Sequence, residues 1–221
     1  MKRLMMAIVL LGVASTVWAQ ASSVTRPAAA GSGESKFYLS GLAGVTFGNT
    51  TGSTFGGEFG MKFGDSFEVF GEAGRMTDVT TSDSDAAAAT IGGYLATLGK
   101  GTPTWTVKTP VNYGAVGVRY LFPHAGRMEP YLAVSLGGAN VEKKTTFALN
   151  GTDITGSLSG FGVTLGTDLA GRTNNFMATA GGGVRLLFGS VLADVGIRYG
   201  RIFSDPGTDT FRLYFGAGYK F

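Results

Sequence analysis

The chain has 221 residues, of which 44% are hydrophobic and only 15% are charged, and it contains no cysteine. This length suits one domain of ordinary size, and the lack of cysteine excludes a fold held together by disulfides. The formal net charge is +3, and the sequence contains no run of basic residues. The composition therefore does not indicate a nucleic-acid partner.

The N-terminus has the pattern of an export signal. A largely apolar segment, Leu4–Val17, follows Lys2 and Arg3 and is too short to cross a bilayer as a helix. Small residues then follow at Ala19 and Ala21. We predict that residues 1–21 are a secretory signal peptide, cleaved after one of these alanines, and that the Ala-, Ser- and Gly-rich residues 22–35 form a flexible lead-in. Removing the peptide lowers the formal charge from +3 to +1.

The last twelve residues, Thr210–Phe221, alternate between two kinds of side chain. One set is apolar and consists of Phe211, Leu213, Phe215, Ala217, Tyr219 and Phe221; the other consists of Arg212, Tyr214, Gly216, Gly218 and Lys220. Because side chains alternate faces along a strand, this pattern predicts a strand with one apolar face. A soluble protein rarely ends in such a strand, since its open edge invites aggregation, whereas a closed membrane barrel pairs the last strand with the first.

Seven further segments alternate in the same way, so that eight strands are predicted. The eight predicted strands are Phe37–Phe47, Phe55–Phe63, Phe67–Arg75, Val111–Phe122, Pro130–Asn140, Phe176–Phe188, Val191–Phe203 and Thr210–Phe221. Short turns follow the second, fourth and sixth strands, longer connections follow the others, and phenylalanines lie at both ends of the strands. This asymmetry, with aromatic rims around an apolar band, is typical of an outer-membrane barrel. We predict an all-β fold, an eight-stranded antiparallel up-and-down transmembrane β-barrel, over residues 36–221.

Two connections extend over tens of residues. In residues 77–103, Ser82–Asp85 precede four alanines, which predicts a capped helix start, but Gly92 and Gly93 weaken its continuation. We predict a long loop with one or two helical turns there, and a second long loop, rich in Thr and Gly, over residues 141–175.

The chain resembles the small outer-membrane β-barrel family of the OmpA/OmpX type. The resemblance rests on Gly117–Phe122, on Ile197–Tyr199, and on the terminal Gly216–Phe221. That last segment looks like the family's assembly signal, Gly-x-x-aromatic-x-Phe, with Gly216, Tyr219 and Phe221 at its defining positions. The resemblance implies a monomer surrounded by outer-membrane lipid and lipopolysaccharide, folded by the barrel-assembly machinery, with a surface ligand, if any, bound by the loops.

The polar strand faces carry a set of charged residues that we predict to form a network in the lumen. They are Glu58, Lys62, Glu68, Glu72, Arg119, Arg185, Asp194, Arg198, Arg212 and Lys220. A three-residue turn at Gly64–Ser66 sets Glu58 opposite Glu72, and two like charges there require a cation across the lumen, for which Arg119 and Arg198 are candidates. A two-residue turn at Gly189–Ser190 sets Arg185 opposite Asp194. We expect these charges to fill the barrel rather than to serve transport.

The sequence predicts neither an enzyme nor a cofactor or metal site. His124 is the only histidine and lies in a predicted short turn, so no Ser-His-Asp triad can form at the loop end. Periodicity alone leaves a soluble, lipocalin-like barrel as an alternative, with the apolar set facing inward. For the membrane barrel two functions stay open: a structural or surface-interaction role carried by the long loops, and a narrow porin or small-solute channel.

Overall fold

The computed structural model describes residues 36–123, 126–205 and 207–221, which form a closed antiparallel barrel. Its eight strands are β1 (Phe37–Phe47), β2 (Thr51–Phe63), β3 (Phe67–Met76), β5 (Val111–Leu121), β6 (Met128–Leu149), β8 (Gly171–Phe188), β9 (Val191–Phe203) and β10 (Thr208–Lys220). Two shorter strands, β4 (Pro103–Lys108) and β7 (Thr152–Asp153), pair with β6 outside the ring. The predicted signal peptide, the lead-in and His124 lie outside the described residues.

The ring is closed by pairing between the first and the last strand. Each barrel strand pairs with the next one along the chain, and β1 pairs with β10 from Tyr38–Lys220 to Phe47–Phe211. The backbone N–H of Phe37 donates to the carbonyl of Phe221 over 3.1 Å, and the N–H of Phe221 donates back over 2.9 Å. Closure thus satisfies the backbone groups that an open edge would leave unpaired.

The apolar strand faces point outward, and the charged faces point into the lumen. Val116 is 68% exposed and Phe215 is 58% exposed, whereas Arg119 is fully buried. An apolar belt of this extent is removed from water only by a bilayer, and the lumen supplies the partners that buried charges require. The lipocalin-like alternative needs the reverse arrangement and is therefore wrong. Among the described residues, none of the helices is long and apolar enough to span a membrane.

Aromatic side chains lie at both ends of the barrel, as predicted. At the short-turn end the rings of Phe37 and Phe221 stack with 6.2 Å between centroids, and at the other end Phe176 packs against Phe203 at 5.5 Å. Interfaces between lipid and water favour such aromatic rims.

Two of the three short turns have the length and the strand register that the sequence predicts. Gly64, at φ 62°, lies in a three-residue turn that pairs Phe63 with Phe67 and Glu58 with Glu72. Gly189, at φ 64°, lies in a two-residue turn that pairs Phe188 with Val191. Glycine adopts this left-handed backbone without steric cost.

The long connections are more ordered than the sequence prediction, which was wrong in this respect. Residues Ser82–Thr97 form a 16-residue helix, α1, capped by the Thr81 side chain, which accepts from the N–H of Ser84. The glycines do not end α1, because the indole ring of Trp105 on β4 packs directly on Gly92, where any Cβ would overlap it. Strand β6 continues nine residues beyond its predicted end at Asn140, and a 3₁₀ helix spans Thr155–Phe161.

These segments pack into one folded unit at the long-loop end, which we call the outer domain (residues 81–108 and 143–170). Its core is formed by the buried side chains of Ala88, Leu95, Phe147, Leu158, Val163 and Leu169. Burying apolar surface from α1, β6 and the 3₁₀ helix together gives these connections the stability that isolated loops lack.

Candidate functional site

The lumen is the first candidate site, because it brings together most of the charged residues that the sequence singles out. Arg119, Arg185, Arg198, Arg212, Glu58, Glu68, Glu72 and Asp194 are all at most 4% exposed. They occupy alternate positions of β2, β3, β5, β8, β9 and β10, so the twofold period of the strands directs them all inward.

Arg119 holds the centre of this network. Its guanidinium donates to both carboxylate oxygens of Glu58, at 2.9 and 3.0 Å, to the hydroxyl of Tyr38 at 2.8 Å, and to Glu68. The same group lies over the ring of Tyr131 at 4.5 Å. A planar guanidinium with five donors suits such shared binding of two carboxylates.

Glu72 forms the second centre, nearer the long-loop end. Arg212 pairs with it at 2.9 Å, the hydroxyl of Tyr113 donates to it at 2.6 Å, and Arg198 forms a further ion pair with it. Arg198 also reaches Glu58 at 3.6 Å. The two facing carboxylates, Glu58 and Glu72, thus share Arg198, and the like charges that register forces together are compensated across the lumen.

Arg185 and Asp194 are opposite in register but form no ion pair with each other within the described part of the chain. Arg185 instead crosses the lumen to Glu68, at 2.9 and 3.1 Å, and lies over the ring of Tyr38 at 4.5 Å. Asp194 accepts from the hydroxyl of Tyr131 at 2.7 Å. The expectation that Arg185 pairs with Asp194 is therefore wrong. The two oxygens of Glu68 and the ring of Tyr38 bind the guanidinium better than the adjacent carboxylate does.

The two predicted lysines lie at the short-turn end of the lumen. Lys62 pairs with Glu129 at 3.1 Å, and Arg185 approaches the same carboxylate at 3.5 Å. Lys220 makes no ion pair with any described residue; with Lys62 and Glu129 it lines a cavity of about 10 Å³, roughly the space of one water molecule. Sequence reasoning missed Glu129 because it began this strand at Pro130, two residues after its true start at Met128.

Sequence reasoning also missed four tyrosines, Tyr38, Tyr113, Tyr131 and Tyr214, which link the charged residues. The hydroxyls of Tyr131 and Tyr214 are 2.7 Å apart, and both lie against Gly196, where a Cβ would come within 2.8 Å of either. The ring of Tyr38 lies in the same way on Gly60, and that of Tyr113 on Gly74. The signal was present in the sequence: tyrosine and glycine alternate with the charges on the inward faces of neighbouring strands.

An apolar layer fills the lumen between the charged network and the outer domain. Its buried members are Met76, Val79, Val111, Tyr113, Ala115, Ala139, Val141, Met177 and Ile202. Val79 lies beyond the end of β3, where its N–H donates to the carbonyl of Thr109 over 3.0 Å. Asp78 accepts from the N–H groups of Thr80 and Thr109, which fixes this segment across the mouth of the barrel. The lumen is therefore charged toward the short-turn end, whereas the long-loop end is filled by this apolar layer together with buried threonines such as Thr46, Thr54 and Thr210.

The charged groups of the lumen bind one another across the barrel. The carboxylates are bound by arginines and tyrosines, and within the described ranges no group of three or more acidic or histidine side chains is arranged to hold a metal ion. Asp83 and Asp85 lie in the first turn of α1, where negative charge is favourable, and Asp85 accepts from the Asn49 side chain at 2.9 Å.

The predicted assembly signal lies on β10 and at the C-terminus. Gly216 faces the lumen, where a Cβ would come within 3.2 Å of the Asp194 side chain, whereas Tyr219 and Phe221 are more than half exposed on the outer surface.

Comparisons with known proteins identify the fold. No family model matches the sequence, and no curated protein matches it. Among solved structures, the chain is similar to Neisserial surface protein A, with a TM-score of 0.53 and 14% identity over 86% of this chain and 100% of that one. It is also similar to the N-terminal barrel of Pseudomonas aeruginosa OprF (TM-score 0.49, 16% identity, 85% and 100% coverage). The attachment invasion locus protein Ail of Yersinia pestis gives a TM-score of 0.47 at 12% identity, with 86% and 100% coverage. The similarity to Neisserial surface protein A shows that the chain has the fold of the small outer-membrane β-barrels of the OmpA/OmpX type.

Proposed function

We propose that this protein is exported, resides in the bacterial outer membrane as a monomer, and serves there as a non-enzymatic surface-interaction protein. Its outer domain carries the function, and its barrel acts as the anchor. A narrow porin is the competing function, and it requires a continuous path of water through the lumen.

The observation that carries this proposal is the filling of the lumen along its length. At the short-turn end, Arg119 and Arg185 bind Glu58 and Glu68 across the barrel. At the other end, Met76, Val111 and Ile202 are at most 1% exposed. An eight-stranded barrel is only about wide enough for its own side chains, and these side chains occupy it.

The outer domain supports the same proposal from the other side of the molecule. Loops that carry no function are usually short, whereas here α1, β4 and the extension of β6 build a separate core around Phe147 and Leu95. A folded surface of this kind offers a fixed arrangement of side chains to a partner, as rigid scaffolds do for binding loops.

Planar-bilayer recording of the purified protein tests the choice between anchor and channel. We expect little or no steady conductance from the unmodified chain, and the same from Arg201→Gln, which alters only an exposed ion pair. Stable, ion-selective channels from the unmodified chain would overturn the proposal in favour of the porin.

Removal of the outer domain tests where the function lies. We expect that short Gly-Ser linkers in place of residues 81–108 and 143–170 leave a barrel that still migrates differently when boiled and unboiled. Cells that display this variant should lose the binding to host cells or matrix that cells with the full chain show. Equal binding by both would exclude the outer domain as the functional part.

A further inference from the structure

Three lysines lie together at the short-turn end of the lumen, and we call them the lysine cluster. Lys36 immediately precedes β1, Lys62 lies near the end of β2, and Lys220 is the last residue of β10. These segments are neighbours in the ring, because β1 pairs with both β2 and β10. Each lysine is an even number of residues from a buried, inward-facing side chain of its own segment, so the twofold period directs all three into the lumen, where they line the same cavity.

Strand pairing brings the positive charges of the cluster close together. The backbone N–H of Lys62 donates to the carbonyl of Lys36 over 2.8 Å, which extends the β1–β2 ladder by one pair and sets these lysines opposite each other. Lys220 is opposite Tyr38, the next inward-facing position after Lys36. Like charges directly opposite on neighbouring strands destabilise a sheet. The cluster is therefore an arrangement that a bound negative charge would stabilise.

The carboxylates at this end do not balance the cluster. Of the two that line the cavity, Glu129 pairs with Lys62 at 3.1 Å, and Glu68 is bound by two arginines of the lumen network. Lys36 and Lys220 make no ion pair with any residue that the structure describes. Two positive charges thus remain uncompensated beside one cavity.

The cavity has the size of a single oxygen atom with its hydrogens. Its volume is about 10 Å³, roughly that of one water molecule, and Phe37 and Tyr38 complete its wall. Arg185 also lines the cavity; it is 2% exposed, and its Nε–H has no hydrogen-bond partner within the described ranges. Ammonium and guanidinium groups around so small a space suit an anionic oxygen, because charge-assisted hydrogen bonds are the strong ones.

We propose that the lysine cluster binds a small oxyanion, a carboxylate or a phosphate, with one oxygen in the cavity and Lys36 and Lys220 as its main partners. Because the lysines face the lumen and not the outer surface, the site selects a soluble anion over a lipid headgroup. The site lies at the opposite end of the lumen from the outer domain, so it adds to the surface-interaction role; only the periplasmic source of the anion rests on the proposed location. An anion held by both lysines would also join the first and the last strand where they close the barrel.

Lysine NMR tests this proposal on the full chain. Protein labelled with ¹³C at the lysine Cε positions is reconstituted in phosphatidylcholine nanodiscs and titrated at constant pH and ionic strength with sodium phosphate and, separately, with sodium acetate. The test variant combines Lys36→Gln and Lys220→Gln, and it keeps Lys62 as the reporter, whose signal is assigned by its loss in Lys62→Gln. The matched control combines Arg127→Gln and Lys100→Gln, which removes two exposed positive charges outside the cluster. Heat-dependent gel mobility verifies that each variant has folded.

Loss of two charge-assisted hydrogen bonds weakens binding by about tenfold or more. We therefore expect a saturable shift of the Lys62 signal in the unmodified protein and in the control, and a dissociation constant at least about tenfold higher in the test variant. Tighter binding of acetate than of phosphate would identify the occupant as a carboxylate, and the reverse would identify it as a phosphate.

The same titrations can refute the proposal. The absence of a saturable shift with both anions, or equal dissociation constants in the test variant and the control, would overturn it. Loss of the response when the nanodiscs contain phosphatidylglycerol would also overturn it, because a lipid headgroup would then occupy the site. These outcomes are independent of the bilayer recordings and of the host-cell binding that test the proposed function.

Discussion

Replacement of Arg119 by alanine is the most direct test of the charged network. The wild-type guanidinium is fully buried and binds Glu58, Glu68 and the hydroxyl of Tyr38. In the variant, Glu58 keeps Tyr38 at 2.8 Å and the more distant Arg198 at 3.6 Å, and Glu68 keeps Arg185 at 2.9 Å. The lumen would then contain carboxylates with too few donors.

Breaking a buried ion pair by removing one partner typically costs about 3–5 kcal/mol. Because both carboxylates keep one other cation, we expect the free energy of unfolding to fall by about 3 kcal/mol, near the lower end of that range. Arg201→Ala removes an ion pair that is about half exposed, and it should cost only about 0–1 kcal/mol.

Urea unfolding in lipid vesicles, followed by the gel mobility of unboiled samples, measures both variants. Adding Glu58→Gln to Arg119→Met should recover part of the loss, because Glu58 is the carboxylate that loses its closest cation, while Arg198 keeps its ion pair with Glu72. If Arg119→Ala were no less stable than Arg201→Ala, the network would contribute nothing and the reasoning about the lumen would fail.

Two further predictions concern the membrane and the topology. Ile197 lies on the outward face halfway along β9. Ile197→Arg should lower the free energy of unfolding in bilayers by about 2–4 kcal/mol, whereas Ile197→Ala, the size control, should cost clearly less. Equal costs would argue against a lipid-facing position. Trypsin added to intact cells should cut first at Lys100, which lies in the exposed turn between α1 and β4, where Gly99 and Gly101 have positive φ. The variant Lys100→Gln should prevent this cut. Cleavage at Arg127, in a short turn, in sealed cells would mean that the orientation is reversed.

The strands and their register could be predicted from sequence because both depend on local patterns. The twofold alternation assigns each residue to a face, and a turn of fixed length leaves one register that keeps the faces consistent. Phe63 opposite Phe67 and Phe188 opposite Val191 follow from this rule alone.

The ion pairs across the lumen depend on information that local patterns lack. Arg185 binds Glu68, which is 117 residues away along the chain, instead of Asp194, its neighbour in register. Which carboxylate a long side chain reaches depends on barrel diameter and on the tyrosines that fill the space between. The direction of a side chain was therefore predictable, but its partner was not.

The helix α1 shows why local propensity failed in the long connections. Two successive glycines cost about 2 kcal/mol relative to alanines in an isolated helix, and this penalty favoured a loop. The tertiary contact with Trp105, on a strand that was itself not predicted, outweighs it. Strand β6 was predicted too short for a similar reason, because its extension beyond Asn140 is paired mainly by β4 outside the barrel.

The pair Gly92 and Gly93 offers a last prediction in which the contact and the propensity oppose each other. At Gly93 a Cβ has no neighbour within 4 Å, so Gly93→Ala should stabilise the outer domain by the propensity difference, about 1 kcal/mol. At Gly92 a Cβ would overlap the indole of Trp105, and overpacking of this kind costs about 1–3 kcal/mol. Gly92→Ala should therefore destabilise the outer domain despite the same gain in propensity.

Trp105 reports the result directly, because it is the only tryptophan outside the predicted signal peptide. Its fluorescence should lose the folded signal at lower temperature in Gly92→Ala than in the unmodified protein, and at higher temperature in Gly93→Ala. Gel mobility of the barrel should stay unchanged in both. If the two substitutions stabilised the outer domain equally, Trp105 would not pack on α1 at Gly92, and another contact would have to explain why the helix continues through its glycines.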